Sequence, residues 1–480
     1  MKQTYDIVII GAGIVGSAIA YQLSKYECSV LVLEKEMSAC SGQSGANSAI
    51  VHSGHDPIPN TLKAKFCIRG NELLADLSYK LGFRFQRIGG LLLANNEEEK
   101  LALDSALERA LDNGVKVYNY NKHQILELEP NLNKNIIGGL YLPSTAVVFP
   151  FEVAACFLKQ AAKYGVRIAL NSKITAINSK NDEFILTING TNDITARIVI
   201  NSAGVFSEEI TKLLLKDCEY SSVFRKGEYY VLDDSAKSHV SHVIYPIPSR
   251  VGKGVLLIPQ VDGQLLIGPN NEVVSDNSDV STSNSGLKEI KEKASKIIND
   301  IPFNKTIRTY AGIRSSLTQY DFYIENSKEY PNFYVLAGID SPGLTSAPAI
   351  AEYLLKMIKK NYPLERRENY VYYKVANKLF RDMDDHEKEV SVNLDPMMGR
   401  IICKCEKVTA REIVNAYESI EGGNTLKGIK QITRAGAGTC QSGYCEEKII
   451  KLLSEYYNIP MSEIRFSSKD NYILIGKDTK

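Results

Sequence analysis

The 480-residue chain has almost no net charge, because 57 basic side chains face 56 acidic ones and leave a balance of +1. Without a basic excess there is no broad electrostatic surface for nucleic acid, although a local anion pocket stays open. No apolar run approaches the roughly 18 residues that suggest a membrane span, so no intrinsic membrane anchor is expected. The opening, "MKQTYDIVII", leads straight into a strand-like segment with no separate apolar h-region or cleavage site. Nine cysteines, an odd number in a long chain, do not make a secreted disulfide framework. Cys28, Cys40, Cys67, Cys156 and Cys218 are scattered, and the other four form two close pairs near the end. A reducing cytoplasm is the expected setting. The length predicts roughly two to four folding units.

The most readable stretch is "YDIVIIGAGIVGSAIAYQLSKYECSVLVLEK". Residues 7 to 10 form the continuous apolar run of a buried parallel strand, which ends in Gly11-Ala12-Gly13-Ile14-Val15-Gly16. Helical spacing follows, and a second apolar strand over residues 30 to 33 ends at Glu34 and Lys35. Gly11 permits the tight turn, Gly13 lets a pyrophosphate approach the backbone, and Gly16 lets the helix pack close on the strand. The helix amino terminus offers free N–H groups and a positive dipole end, and Glu34 is placed to accept from a ribose. Strand, glycines, helix and acid together predict a dinucleotide site.

FAD and NAD share that opening. The following loop, residues 38 to 57, is long and rich in Ser, Gly, Ala, Asn and His, with almost no charge before Asp56. Loops of that length in compact domains are usually functional or disordered. Its small residues would let it pass close against a flat ring. Only one dinucleotide fingerprint is evident, so NAD is not expected as the chain's own electron acceptor.

Five segments, "GAGIVGSAIAYQL", "SGANSAIVHSGHDPIPNTLKAKFC", "RKGEYY", "VINSAGVFSEEI" and "AGIDSPGLTSAPAIAEYL", resemble the D-amino-acid-oxidase superfamily of flavoproteins. The likeness covers roughly residues 1 to 365 and is nearest to the glycerol-3-phosphate and L-2-hydroxyglutarate dehydrogenase branches. It implies an α/β plus α+β architecture, with a Rossmann-type FAD domain (1–80, 140–215, 325–365) interleaved with an antiparallel-sheet substrate domain (81–139, 216–324). It places Ser44, Asn47 and Ser48 along the flavin, Ala203 and Gly204 at the cofactor, and the Ile174 backbone by the adenine. Gly338, Gly343, Leu344 and Thr345 would form the approach and amino terminus of a helix aimed at the flavin's N1/O2 edge, stabilising negative charge there.

Oxidising a secondary alcohol at flavin requires loss of the hydroxyl proton. His52, with an imidazole pKa near neutrality, is the candidate base, and His55 is a second candidate. The family resemblance also allows His52 or Cys40 to attach the flavin covalently. Arg314, in "TYAGIRSSLT", is the candidate clamp for a small anionic substrate, since its rigid fork suits phosphate or carboxylate alike. Arg225, Arg250 and Lys253 could assist it.

Residues 366 to 397 are strongly charged and read as a helical connector and linker. Beyond it, residues 398 to 480 carry Cys403-Lys404-Cys405 and, after 34 residues (406 to 439), "AGAGTCQSGYC" with Cys440 and Cys445. In an extended segment Cys403 and Cys405 share one face. The glycines let backbone N–H groups approach sulfur. Thr409 and Glu412 are spaced as a capping box. Four thiolates suit zinc or iron–sulfur. The pattern resembles the 2Fe–2S domain of bacterioferritin-associated ferredoxin, which also recurs on anaerobic glycerol-3-phosphate dehydrogenases.

The joint expectation is an FAD-dependent sn-glycerol-3-phosphate dehydrogenase passing electrons through a 2Fe–2S cluster to a partner redox protein, with a peripheral membrane position reached only through that partner. The alternatives are oxidation of a 2-hydroxy or amino acid, such as L-2-hydroxyglutarate, and a non-catalytic electron-relay subunit.

Overall fold

The computed structural model describes residues 3–247, 254–375 and 378–474. Arg250 and Lys253 lie outside them.

The strand Gln3–Ile10 is central to the first sheet. Val30–Leu33 and then Arg167–Ala169 lie on one side of it, and Asn192–Asn201 and then Phe333–Ala337 on the other, all parallel. Period-two alternation splits the first strand between two cores. Ile7 and Ile9 pack with the helices Ile14–Leu23, Pro150–Ala162 and Gly343–Asn361, while Val8 and Ile10 pack on the opposite face. Burial on both faces explains why the run carries no polar residue. The antiparallel hairpin Ile174–Lys180 and Glu183–Ile188 is added at the start of Asn192–Asn201.

The second sheet is mostly antiparallel. Its longest pairing joins Ser222–Leu232 to Thr306–Leu317, in register from Ser222↔Leu317 to Leu232↔Thr306. Gly90–Ala94, Tyr118–Asn121 and Gly138–Leu142 belong to the same sheet, so Gly138–Leu142 crosses the boundary expected at residue 140.

The connector departs from its helical expectation. Around residues 370 to 375 it runs extended over the first unit, where Val371 N–H donates to Tyr164 Oη at 2.6 Å and Val375 N–H to the Leu81 carbonyl at 3.0 Å. Tyr370 stacks on Tyr164 with ring centroids 4.4 Å apart. The Tyr-Val-Tyr-Tyr run at 370 to 373 favours extended backbone and finds an aromatic surface to lie on. Among the described residues there, only Asp385–Leu394 is an α-helix, begun by Asp384 in a capping box with Glu387.

The C-terminal unit is a two-strand ladder, Ile401–Cys403 with Val408–Thr409, and three helices, Ala410–Tyr417, Leu426–Thr433 and Glu446–Tyr457. The Thr409–Glu412 capping box is present. Ile402, Ile413, Ile429, Ile449 and Leu453 are among its core residues. Among the described residues no helix is long and apolar enough to cross a membrane.

Candidate functional site

At the end of the first strand the backbone turns at Gly11, with φ +99°, where an added Cβ would lie 2.7 Å from the Ser202 carbonyl oxygen. At Gly16 it would lie 1.9 Å from the Gly11 carbonyl oxygen, so the helix can sit this close to the turn only as glycine. Glu34 accepts from Ala12 N–H at 2.8 Å and Glu36 N–H at 2.9 Å. Its carboxyl is held above the usual range by burial, against the pull of those two donors.

Beside this turn opens a cavity of about 1920 Å³, above the roughly 300–1,000 Å³ of a drug-sized pocket and roomy enough for a dinucleotide with a small substrate. Gly11, Gly13, Ile14, Val15, Glu34, Lys35, Ser44, Asn47, Ser48, Ile174, Ala203, Gly204, Gly343 and Leu344 all line it. Gly16, Gly338 and Thr345 stand behind the wall. Gly338, at φ +65°, packs where a Cβ would meet Leu317. Thr345 is buried and its Oγ1 accepts the His52 N–H at 2.9 Å.

The long loop is tied down rather than free. Ser44 Oγ accepts Ile14 N–H at 2.9 Å, Asn47 Nδ2 donates to the Ser44 carbonyl at 2.7 Å, and Tyr310 Oη donates to the Asn47 carbonyl at 2.9 Å. Cys40 is buried outside the main cavity, and burial pushes its thiol up, so it is poorly placed to attach a ring there.

His52 and Arg314 both line the cavity. The His52 backbone is fixed by Thr345 and by Asn71, whose Nδ2 donates to the His52 carbonyl at 3.0 Å, and its Nε2 stands 3.4 Å from Ser341 Oγ. His55 is buried outside the cavity, with Nδ1 2.9 Å from Ser53 Oγ. Arg314 Nη2 donates to the Asn270 carbonyl at 2.9 Å, which orients the fork, while its buried Nε has no hydrogen-bond partner. Gly227 makes room for it, since a Cβ there would lie 2.7 Å from Nη2. Arg225 also lines the cavity.

Two features escaped the sequence reading. Lys63 and Asp340, 277 positions apart, form a buried ion pair at 2.7 Å on the cavity wall. The C-terminal unit walls the same cavity with Lys427, Lys430, Gln431, Arg434, Ala437 and Gln441. Arg308 and Arg314 both line the cavity from the strand Thr306–Leu317, and Arg308 is the one that feels Lys430 and Arg434 across this seam. Among the described residues neither Arg308 nor Lys430 makes an ion pair, and burial lowers both.

In the cysteine loop, Cys403 and Cys445 are each 1 % exposed, while Cys440 is half-buried and Cys405 exposed. The Cys445 thiol donates to Cys403, which with the N–H groups of Gly436 and Glu406 lowers Cys403 to about 6. Cys405 faces Cys440, and all four thiols feel one another electrostatically. Among the described residues no three His, Cys, Asp or Glu side chains already converge on a metal position. Gly438 approaches so closely that a Cβ would lie 2.5 Å from Cys405 Cβ. Two thiol pairs with backbone donors aimed at sulfur fit a four-thiolate metal group.

Comparisons with known proteins resolve what the donors alone leave open. Residues 6–357 match the family model "FAD dependent oxidoreductase", and residues 401–455 match "BFD-like [2Fe-2S] binding domain". The chain is 36% identical over 475 residues to a glycerol 3-phosphate dehydrogenase of Caloramator mitchellensis, covering 98% of each. It is 33% identical to a glycerol 3-phosphate oxidase of Mycoplasma genitalium, matching 77% of this chain and 97% of that protein. The solved FAD-bound L-α-glycerophosphate oxidase of Mycoplasma pneumoniae superimposes with a TM-score of 0.74 at 28% identity, covering 77% of this chain and 98% of that one.

Proposed function

The chain belongs to the FAD dependent oxidoreductase family, and from that premise we propose that it oxidises sn-glycerol 3-phosphate to dihydroxyacetone phosphate and sends the electrons out through its C-terminal unit to a partner redox protein. It is a flavoenzyme of the glycerol-3-phosphate dehydrogenase and oxidase type, with FAD and a 2Fe–2S cluster as its cofactors. The observation that carries the electron route is a difference in length. The glycerol 3-phosphate oxidases are spanned almost fully by 77% of this chain, whereas the glycerol 3-phosphate dehydrogenase of Caloramator mitchellensis matches it through the cysteine-bearing unit as well.

When bound, FAD accepts a hydride from the alcohol carbon, and a 2Fe–2S cluster carries electrons onward singly. The glycine turn and the amino terminus of Ile14–Leu23 receive the pyrophosphate, and Glu34 the ribose. Arg314, oriented by Asn270, fixes the substrate's anionic end with the remaining donors of its guanidinium. His52 Nε2 takes the hydroxyl proton as the carbonyl forms, and Thr345 and Asn71 hold its backbone for that task.

The test is kcat/KM with a one-electron dye as acceptor, comparing sn-glycerol 3-phosphate with L-2-hydroxyglutarate. Preference for the phosphate by about 100-fold is expected, because a donor set built for one anion penalises the other. Reversed preference would keep the chemistry and replace the substrate. Inactivity with both, in protein that retains its cofactors, would favour a relay subunit.

A further inference from the structure

We propose that Arg434 locks the cluster-bearing unit against the flavin-bearing units, so that electrons cross a permanently closed seam rather than wait for a moving domain; this rests on the electron route proposed above.

Arg434 ends the helix Leu426–Thr433 in the left-handed region, at φ +70°. That position ordinarily favours glycine, so an arginine there stands against its backbone preference. Its side chain is nearly buried and meets all three units. Nη1 pairs with Asp262 at 2.8 Å, in the loop between Leu256–Pro259 and Leu265–Gly268 of the second sheet. Nε lies 3.5 Å from Glu406, next to Cys405, and the guanidinium lies 5.4 Å from the ring of Phe149, which leads into Pro150–Ala162. Around this node Gln264 Nε2 donates to the Ala437 carbonyl at 3.1 Å and Thr439 Oγ1 donates to Asp233.

The other end of the same helix is closed too. Ala39 N–H donates to the Glu421 carbonyl at 2.8 Å, and Lys159 pairs with the Glu421 carboxylate at 2.9 Å. Gly422 is pressed so close that a Cβ would lie 2.3 Å from the Met37 carbonyl oxygen. With both ends fixed, Lys430, Gln431 and Arg434 face the flavin cavity from one side of the helix, and the cysteine loop begins directly after Arg434. Substrate oxidation delivers two electrons. The cluster takes one, passing from two ferric ions to one ferric and one ferrous, and a one-electron acceptor must reoxidise it before the second crosses. Arg434 is thus a positioning residue for the transfer, and removing it leaves Asp262 without its cation, while Glu406 keeps its pair with Arg381.

The experiment is anaerobic stopped-flow absorbance on full-length holoprotein carrying Arg434→Gln or Arg434→Lys. In one arm sn-glycerol 3-phosphate reduces the flavin, and in the other light with EDTA does so. Both chromophores should remain in Arg434→Gln, with flavin bleaching by substrate unchanged and cluster reduction slowed by about tenfold or more, since misplacement by an ångström is costly. Arg434→Lys should recover part of the loss. Cluster reduction at the original rate, or equal slowing of both steps, would overturn the proposal. If Arg434→Gln does not fold, Asp262→Asn tests the same node from the other side, with the same expected and contradicting outcomes. Bleaching by light but not by substrate, with the second step still slow, would sink the substrate reading and leave the role of Arg434 standing.

Discussion

The nucleotide turn at residues 11 to 16 rests on a strand whose residues 7 to 9 are wholly buried between two cores, whereas the cysteine loop at 436 to 445 rests on a small core that includes two of the cysteines themselves. The first is rigid because backbone meets backbone, with glycines wherever a Cβ would collide. The second has its thiols in two facing pairs, Cys403 with Cys445 and Cys405 with Cys440, which its metal group would join. A small unit with a thin core gains much of its folding free energy from metal. One chain therefore contains a preformed cofactor site and a site completed by its cofactor.

The largest test of that contrast is Cys445→Ser. Cluster absorbance should vanish and the chain beyond residue 398 should become sensitive to protease, while flavin bleaching by substrate survives. Simultaneous loss of FAD would show that the two sites do not fold independently. Next, His52→Gln should lower kcat by about 10²–10⁴-fold, the range for losing a general base, with both cofactor spectra unchanged. A spectral change instead would make His52 part of the flavin's attachment. Gly16→Ala adds a methyl where none fits, which at about 1–3 kcal/mol of overpacking weakens FAD retention by roughly 10–100-fold, read from the flavin content of purified protein. Full retention would mean that the turn yields more than its close contacts suggest. The smallest effect belongs to Arg314→Lys. The fork is lost but the charge is kept, so KM should rise about tenfold, the scale of one charge-assisted hydrogen bond, with little change in kcat.

The two regions also differed in how far they could be read. Gly11, Gly13 and Glu34, singled out by rules of turn and strand end, and His52 and Arg314, singled out by their chemistry together with the family resemblance, all line one cavity. Thr345 was assigned to the cofactor from its place at a helix start; its hydroxyl accepts the His52 N–H, a contact between residues 293 apart that no local pattern encodes. Lys63 with Asp340 is hidden for the same reason. The cysteine spacing revealed a metal group but not that Lys430 and Arg434 wall the flavin cavity, because docking depends on surfaces drawn from Asp262, Phe149 and Ser38 at once. The connector was misread as helical because its charge pattern outweighed its tyrosines, which find Tyr164 to stack on.

The most direct test of the two-site account is electron paramagnetic resonance on frozen holoprotein after one equivalent of sn-glycerol 3-phosphate without oxygen. The account predicts the signal of a reduced 2Fe–2S cluster in the native chain and none in the His52→Gln variant mixed for the same time. A bleached flavin beside a silent cluster in the native chain would contradict it.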